Sequence, residues 1–205
     1  MSQLTKIGSR YRFTISRLRR ACSQVETLFA NGGLKCTNCE LIYESVFLNA
    51  IAHFEALLNE LMQEFVCGAP SSRVGCYALI KPRSRLVFRV ILTGGRAYVD
   101  LMPFKDCVEI AKRFLNEGKP FSEIDDSDRN ILAQAVLIRN AIAHHSKSAL
   151  ERFQTGVNGV ELLPPNKRFP GAYLRRVYRA YPTQTWNELY LNTLDKVGVL
   201  LASSW

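Results

Sequence analysis

Apolar residues recur at three- and four-residue intervals along most of this chain. Between residues 11 and 30, Ile15, Leu18, Cys22, Val25 and Phe29 line one side of a predicted helix. Arg12, Arg17, Arg19 and Arg20 fall mostly elsewhere on the wheel, and Asn31-Gly32-Gly33 supplies the stop. Thr37-x-x-Glu40 has the spacing of a capping box, so a second helix is expected to start near Asn38. Its apolar face is Phe47, Ile51, Phe54, Leu58, Leu61 and Phe65, broadened by Ala50, Leu57 and Met62. Gly68 and Pro70 end it. Roughly 28 residues make it about 40 Å long, a scaffold for the domain.

The pattern changes over residues 71–101. β-branched and aromatic residues replace long aliphatics, and the run Leu86–Leu92, then Thr93-Gly94-Gly95-Arg96, then Ala97-Tyr98-Val99 reads as a hairpin across a Gly-Gly turn. Val74–Ile80 offers a third strand. The glycine pair lacks the spacing and following helix of a phosphate loop.

Helical spacing then returns. Pro103 can open a helix striped by Phe104, Cys107, Val108, Ala111, Phe114 and Leu115, ending at Glu117-Gly118-Lys119-Pro120. Glu123, Asp125, Asp126 and Asp128 suit the start of the next helix better than a calcium loop, whose glycine spacing is missing. That helix is predicted from about Asp128 to beyond Leu150, burying Ile131, Ala135, Ile138 and Ile142. Prolines and glycines make 156–182 a long loop. A last helix, from about Thr183 to Ala202, turns Trp186, Tyr190, Leu194, Val197 and Leu201 inward. The expected fold is mainly α, an antiparallel helical bundle in one domain over 1–205, with a small β-hairpin insertion at 71–101 and a basic loop at 156–182.

Composition narrows the class. Hydrophobic residues make up 47% and charged residues 22% of 205 residues, ordinary values for a soluble domain. No uninterrupted apolar run approaches the roughly 20 residues that span a bilayer. Residues 1–13 lack the apolar core of a signal peptide. A cytoplasmic location with no membrane partner is expected.

The net charge of +9 is segregated. Three tracts hold no acid: Lys6 to Arg20 within 1–25, Arg73 to Arg96 within 65–99, and Lys167 to Arg179 within 162–187. Such segregation points to a polyanionic partner, and nucleic acid is the expected one. In the last tract Lys167, Arg168, Arg175, Arg176 and Arg179 alternate with Phe169, Tyr173, Tyr178 and Tyr181. Either the rings stack on unpaired bases while the cations hold phosphates, or the tyrosines pack on the domain and only the cations face water.

Six cysteines raise the question of metal. Cys36-x-x-Cys39 with Cys67 and Cys76 resembles a zinc set, but the predicted second helix separates Cys36 and Cys39 from Cys67. Zinc reaches only about 2.3 Å to each sulfur. A redox role lacks its strand–helix setting. Reduced thiols with no chemistry are expected, Cys22 and Cys107 as core residues, and no metal or cofactor.

One segment stands out. Ile138-Arg139-Asn140-Ala141-Ile142-Ala143-His144-His145 interrupts an apolar helix with a guanidinium, a carboxamide and two of the chain's three histidines. Asn140 and His144, four apart, share a helical face, and Arg139 flanks it. An imidazole can take or give a proton at a ribose 2′-OH or a leaving 5′-oxygen, and a guanidinium can stabilise charge building on phosphorus. Cleavage of this kind wants an acid and a base, whereas one chain offers one clearly placed imidazole. Two copies about a two-fold axis would supply both, so a homodimer with a composite site is expected. His145, about 100° further round, reads as a surface or interface residue or an accessory one.

Arg139-Asn140-Ala141-Ile142-Ala143-His144 resembles the Arg-Asn-x-x-x-His motif of the HEPN superfamily, helical domains of many toxin and phage-defence ribonucleases. The long earlier helix, the motif in a late helix and the closing helix agree with that layout, over roughly residues 10–66 and 103–203. The stand-alone RiboL-PSP type is the most similar. The resemblance implies a HEPN-like bundle acting as a metal-independent endoribonuclease that works as a dimer and leaves a 2′,3′-cyclic phosphate. Arg139 and His144 are its implied catalytic residues, with Asn140 supporting and Glu55 as a polar accessory from the second helix. An antitoxin or other regulatory protein is a further implied partner. The rival expectation is a non-catalytic HEPN-like module that binds RNA or a protein partner without turnover.

Overall fold

The computed structural model describes residues 2–97, 99–180 and 182–205. Among them are eight α-helices: α1 (Gln3–Ala30), α2 (Cys36–Cys67), α3 (Arg85–Thr93), α4 (Phe104–Lys112), α5 (Asp126–His144), α6 (Lys147–Gly156), α7 (Pro170–Arg175) and α8 (Trp186–Ser203). Pairing of β type is confined to two isolated bridges among the described residues, Ala78 with Leu115 and Val177 with Thr185. The fold is mainly α-helical, as the apolar spacing predicts.

α1 begins well before residue 11 because Ser2 caps it, its Oγ accepting from the Thr5 N–H at 3.1 Å. Ile7 and Tyr11 extend its buried stripe upstream. α2 is long and apolar enough to cross a membrane by length and composition, although no uninterrupted apolar run does so. Its apolar residues are used inside the protein: Phe47, Ala50, Phe54, Leu58, Leu61 and Met62 are fully buried.

The chain divides into two compact units, one of Met1–Arg12, His53–Arg129 and Lys196–Trp205, the other of Phe13–Ala52 and Asn130–Asp195. α1, α2, α5 and α8 each contribute to both. In the first unit, Phe54 lies 6.2 Å from Tyr11 and 6.5 Å from Phe104, centroid to centroid. Phe65 sits between Phe121 and Trp205, at 5.6 and 4.7 Å. The carboxylate run caps α5: Asp125 Oδ1 accepts from the Asp128 N–H at 2.8 Å and from Ser127 at 2.7 Å. Lys196 then ties Asp125 and Asp128 to α8, at 3.3 and 2.7 Å.

The expected β insertion is replaced. Residues 85–93 form α3, with Ser84 as N-cap accepting from the Val87 N–H and Gly94 as a left-handed C-cap at φ 59°. The Gly94-Gly95 pair therefore ends a helix instead of turning a hairpin. β-branched Val87, Val90 and Ile91 suggest a strand, but caps at both ends and burial of Phe88 and Leu92 four apart favour the helix. Of the 74–80 segment only the Ala78 bridge pairs. Tyr98, in the expected second strand, lies outside the described residues.

The second unit is built around aromatics. Tyr190 meets Phe47 edge-on at 5.6 Å. Tyr173 stacks on Trp186 at 4.9 Å and meets Phe153 edge-on at 5.7 Å. The hydroxyls are satisfied internally: Tyr190 donates to Gln134 Oε1 at 3.1 Å and Tyr173 to Asn158 O at 3.1 Å. A second correction falls on α5, which stops at His144 instead of running past Leu150. His145 takes φ 47°, and Ser146 starts α6 by accepting from the Ala149 N–H at 3.2 Å. The basic loop is not wholly irregular, since α7 and short 3-10 turns at Val160–Leu162 and Pro165–Lys167 lie within it.

Candidate functional site

The polar cluster sits at the end of α5, not in the middle of a longer helix. Ile138, Ala141 and Ile142 face the core of the second unit. That leaves Arg139 and Asn140 half-buried at the edge of the helix and His144 exposed on its last turn. Arg139 Nη1 donates to Asn140 Oδ1 at 3.2 Å. This bond orients the carboxamide, and its Nδ2 donors remain for another acceptor. Asn140 and His144 are on one face by helical spacing. The result is a surface spot with two donor-rich groups fixed by the core and one imidazole in solvent.

His145 is displaced by the helix break. Its left-handed backbone turns it off the α5 wheel, toward Glu44 of α2. Glu44 is a neighbour that sequence spacing did not reveal. It is half-buried, and its Oε1 accepts from the Gly171 N–H at 2.9 Å, at the first turn of α7. Burial raises its pKa above the ordinary carboxylate value, opposed by the Gly171 bond and by His145. No short motif joins residues 44, 145 and 171. Glu55 lies on α2 in the first unit, whereas Arg139, Asn140, His144 and His145 belong to the second.

The five cations of the basic loop divide. Arg175 binds Glu26 with two hydrogen bonds, donates to Cys36 Sγ at 3.3 Å and lies 4.1 Å over the Phe29 ring. Arg168 is committed to the carbonyls of Leu163 and Glu161, at 2.9 and 3.0 Å, and Arg176 to that of Gly159 at 3.0 Å. Lys167 and Arg179 are exposed. The tyrosine question resolves likewise: Tyr173 is core and Tyr178 packs on Trp186 at 4.5 Å, while Phe169 is exposed. Tyr181 lies outside the described residues.

The other acid-free tracts are acid-free only along the sequence. Arg10 pairs with Glu60, Arg19 with Asp195, Arg73 with Glu123 and Arg85 with Glu64. The fold supplies acids from distant positions to cations that look uncompensated in order.

No group of three or more His, Cys, Asp or Glu among the described residues is placed to hold a metal ion. Cys36 and Cys67 occupy opposite ends of α2. Burial and Glu40, which accepts from its thiol at 3.4 Å, push the Cys36 pKa up. That opposes thiolate chemistry. Cys22 is pushed up to about 12, chiefly by burial, and Cys107 is fully buried.

No protein-family profile, no curated protein and no solved structure matches the chain.

Proposed function

We propose that this chain is a HEPN-type endoribonuclease that cleaves RNA without a metal ion, at a site completed by a second copy of itself. The observation that carries the reading is the Arg139–Asn140 hydrogen bond on the helix whose exposed last turn bears His144. An imidazole removes the 2′-OH proton, and the 2′-oxygen attacks the adjacent phosphorus. The P–O5′ bond breaks, and a second imidazole protonates the departing 5′-oxygen. The products are a 2′,3′-cyclic phosphate and a 5′-hydroxyl. Arg139 stabilises charge on the phosphoryl oxygens, and Asn140 both holds Arg139 and offers its amide to the phosphate. The second imidazole is His144 of the other copy, with His145 as an accessory group. Lys167 and Arg179 are the basic-loop cations best placed to draw in RNA; Arg168, Arg175 and Arg176 contribute mainly through the loop they shape.

The test is cleavage of total RNA in EDTA by the purified protein, beside His144→Ala and Arg139→Ala. Loss of cleavage in both variants, with folding retained, supports the enzyme. Equal cleavage by all three sinks it. RNA binding by the wild type without turnover moves the chain to the non-catalytic module. Cyclic-phosphate ends on the products separate this chemistry from metal-dependent hydrolysis.

A further inference from the structure

Within the second unit, α1 keeps one side in the core and turns a cationic side to solvent. Ile15, Cys22 and Val25 are buried. At about 100° per residue, Phe13, Ser16, Arg17, Arg20 and Gln24 fall on the opposite side, and all five are exposed. They cover about 16 Å of helix. Phe13 is 61% exposed and has no ring or guanidinium partner among the described residues.

The charge of this face survives folding. Arg17 and Arg20 have no ion pair among the described residues, unlike Arg19 beside them. Glu26 is the only acid of α1, and Arg175 engages it at 2.7 Å. Asp195, brought to α1 by α8, is engaged by Arg19 at 3.2 Å. Glu188 is exposed, but it lines a cavity with Arg19, Ser23 and Glu26. That cavity opens on the Arg19 side of the wheel, about a third of a turn round from Phe13.

We propose that this face of α1 is a second RNA contact, where Arg17 and Arg20 hold phosphates of a single strand and Phe13 stacks on an unpaired base. Residues three apart on a helix are neighbours about 5–6 Å apart, so the two guanidiniums act side by side. Their planar forks match phosphate oxygens. A free ring next to them adds stacking that any base satisfies. Ser16 and Gln24 supply further hydrogen bonds for phosphate or ribose. A protein partner fits poorly, because Phe13 is the only large apolar side chain of the patch and cannot form a desolvated interface core. A bilayer fits poorly too, since the apolar stripe of α1 is committed to the core and cannot enter the lipid. A duplex would leave Phe13 no unpaired base. The inference shares the choice of RNA with the ribonuclease reading and needs no turnover.

The experiment measures binding by the full chain carrying His144→Ala, so that turnover does not consume the probe. The probe is an unstructured RNA of about 12 nucleotides containing 2-aminopurine, in EDTA. Phe13→Ala weakens binding about fivefold or more and removes the change in 2-aminopurine emission, with the salt slope kept. Arg17→Ala and Arg20→Ala each lower the slope of log affinity against log salt by about 0.7. These positions are exposed, and unchanged helical circular dichroism verifies folding. No binding of the strand, unchanged affinity in F13A, or unchanged slopes in both arginine variants overturns the proposal. So does a duplex of the same sequence that binds as tightly and is as sensitive to F13A. Polyglutamate or phosphatidylglycerol vesicles that lose as much affinity as RNA in R17A and R20A would overturn it in favour of a general anion patch. Cleavage by the wild type with undiminished binding by these variants removes this inference alone. Binding that the variants weaken, with no cleavage by the wild type, removes the ribonuclease reading alone.

Discussion

Arg175 holds Glu26 with two hydrogen bonds, Nε to Oε1 at 2.7 Å and Nη2 to Oε2 at 2.9 Å. The pair fastens the end of α7 to α1, and the same guanidinium covers Phe29. Its engagement holds the Glu26 carboxyl below the ordinary carboxylate range. Arg175→Ala is expected to destabilise the protein by about 1–2 kcal/mol, since it strips a charge-assisted pair that is only partly exposed. Arg175→Lys should recover little, because one ammonium cannot span both oxygens. Denaturant unfolding measures both. RNA affinity of the folded variant should stay within about twofold of wild type.

Lys167 and Arg179 make the converse case. Both are exposed. Each alanine substitution should leave the melting temperature unchanged and reduce RNA binding, with the slope of log affinity against log salt falling by about 0.7 to 0.9 per lost phosphate contact. A melting temperature that drops while the salt slope holds would assign these residues to structure.

A composite site makes a statement about pH. If two imidazoles share the work, one unprotonated and one protonated, kcat/KM rises and then falls with pH. The two limbs belong to the pair and not to either histidine. His144→Ala should lower the rate by about two to four orders of magnitude. His145→Ala should leave most of the rate. A flat profile would remove general acid–base chemistry by these residues.

Glu44 gives the opposite kind of pH effect. Burial, the largest cause, raises its pKa in the folded protein above the unfolded value. Between those two values the folded state binds more protons than the unfolded chain, so stability falls as pH rises through the window. Ionised Glu44 is thus a liability at neutral pH, only partly relieved by the Gly171 N–H and His145. Glu44→Gln keeps an oxygen for Gly171 and removes the charge. The variant should melt higher than wild type at neutral pH, and the difference should disappear as pH falls below the carboxylate range. A constant difference at all pH values would mean that ionisation of Glu44 is not its source.

Regular elements were legible wherever one face of a helix carries the burial. Ile15, Cys22 and Val25 on α1, Phe47 to Phe65 on α2, and Trp186 to Leu201 on α8 are buried as their spacing predicts. α3 was not, because its apolar residues lie on both sides of the helix: Phe88 and Leu92 inward, Leu86, Val87, Val90 and Ile91 outward. A nine-residue run rich in β-branched residues, apolar on two sides with only Arg85, Arg89 and Thr93 between them, reads as a strand, and the decisive signals were Ser84 and Gly94 at its ends. The break after His144 was hidden for a similar reason. A histidine at φ 47° has no sequence signature, and Ser146 as a cap is visible only once a break is suspected. At the candidate site, Asn140 and His144 were legible as one helix face, with Arg139 flanking it. Glu44 and the clamping of Arg175 were not, since both depend on residues more than a hundred positions away.

Gly171 offers the sharpest structural test of that distant packing. A Cβ there would lie 2.6 Å from the Glu40 carbonyl oxygen and 2.9 Å from its carbon, so α7 approaches the backbone of α2 too closely for any side chain. Gly171→Ala must push α7 away, stretching the Gly171–Glu44 hydrogen bond and loosening Tyr173 and Leu174, which α7 carries into the core. Overpacking of this kind costs about 1–3 kcal/mol. Gly156→Ala is the matched control. Its new Cβ would meet Leu137 Cδ1 at 2.6 Å, the end of a side chain that can rotate aside. Calorimetry should show the larger loss for Gly171→Ala. Equal losses would mean that α7 can shift along α2 at little cost, and that the Glu44 corner is softer than its hydrogen bond implies.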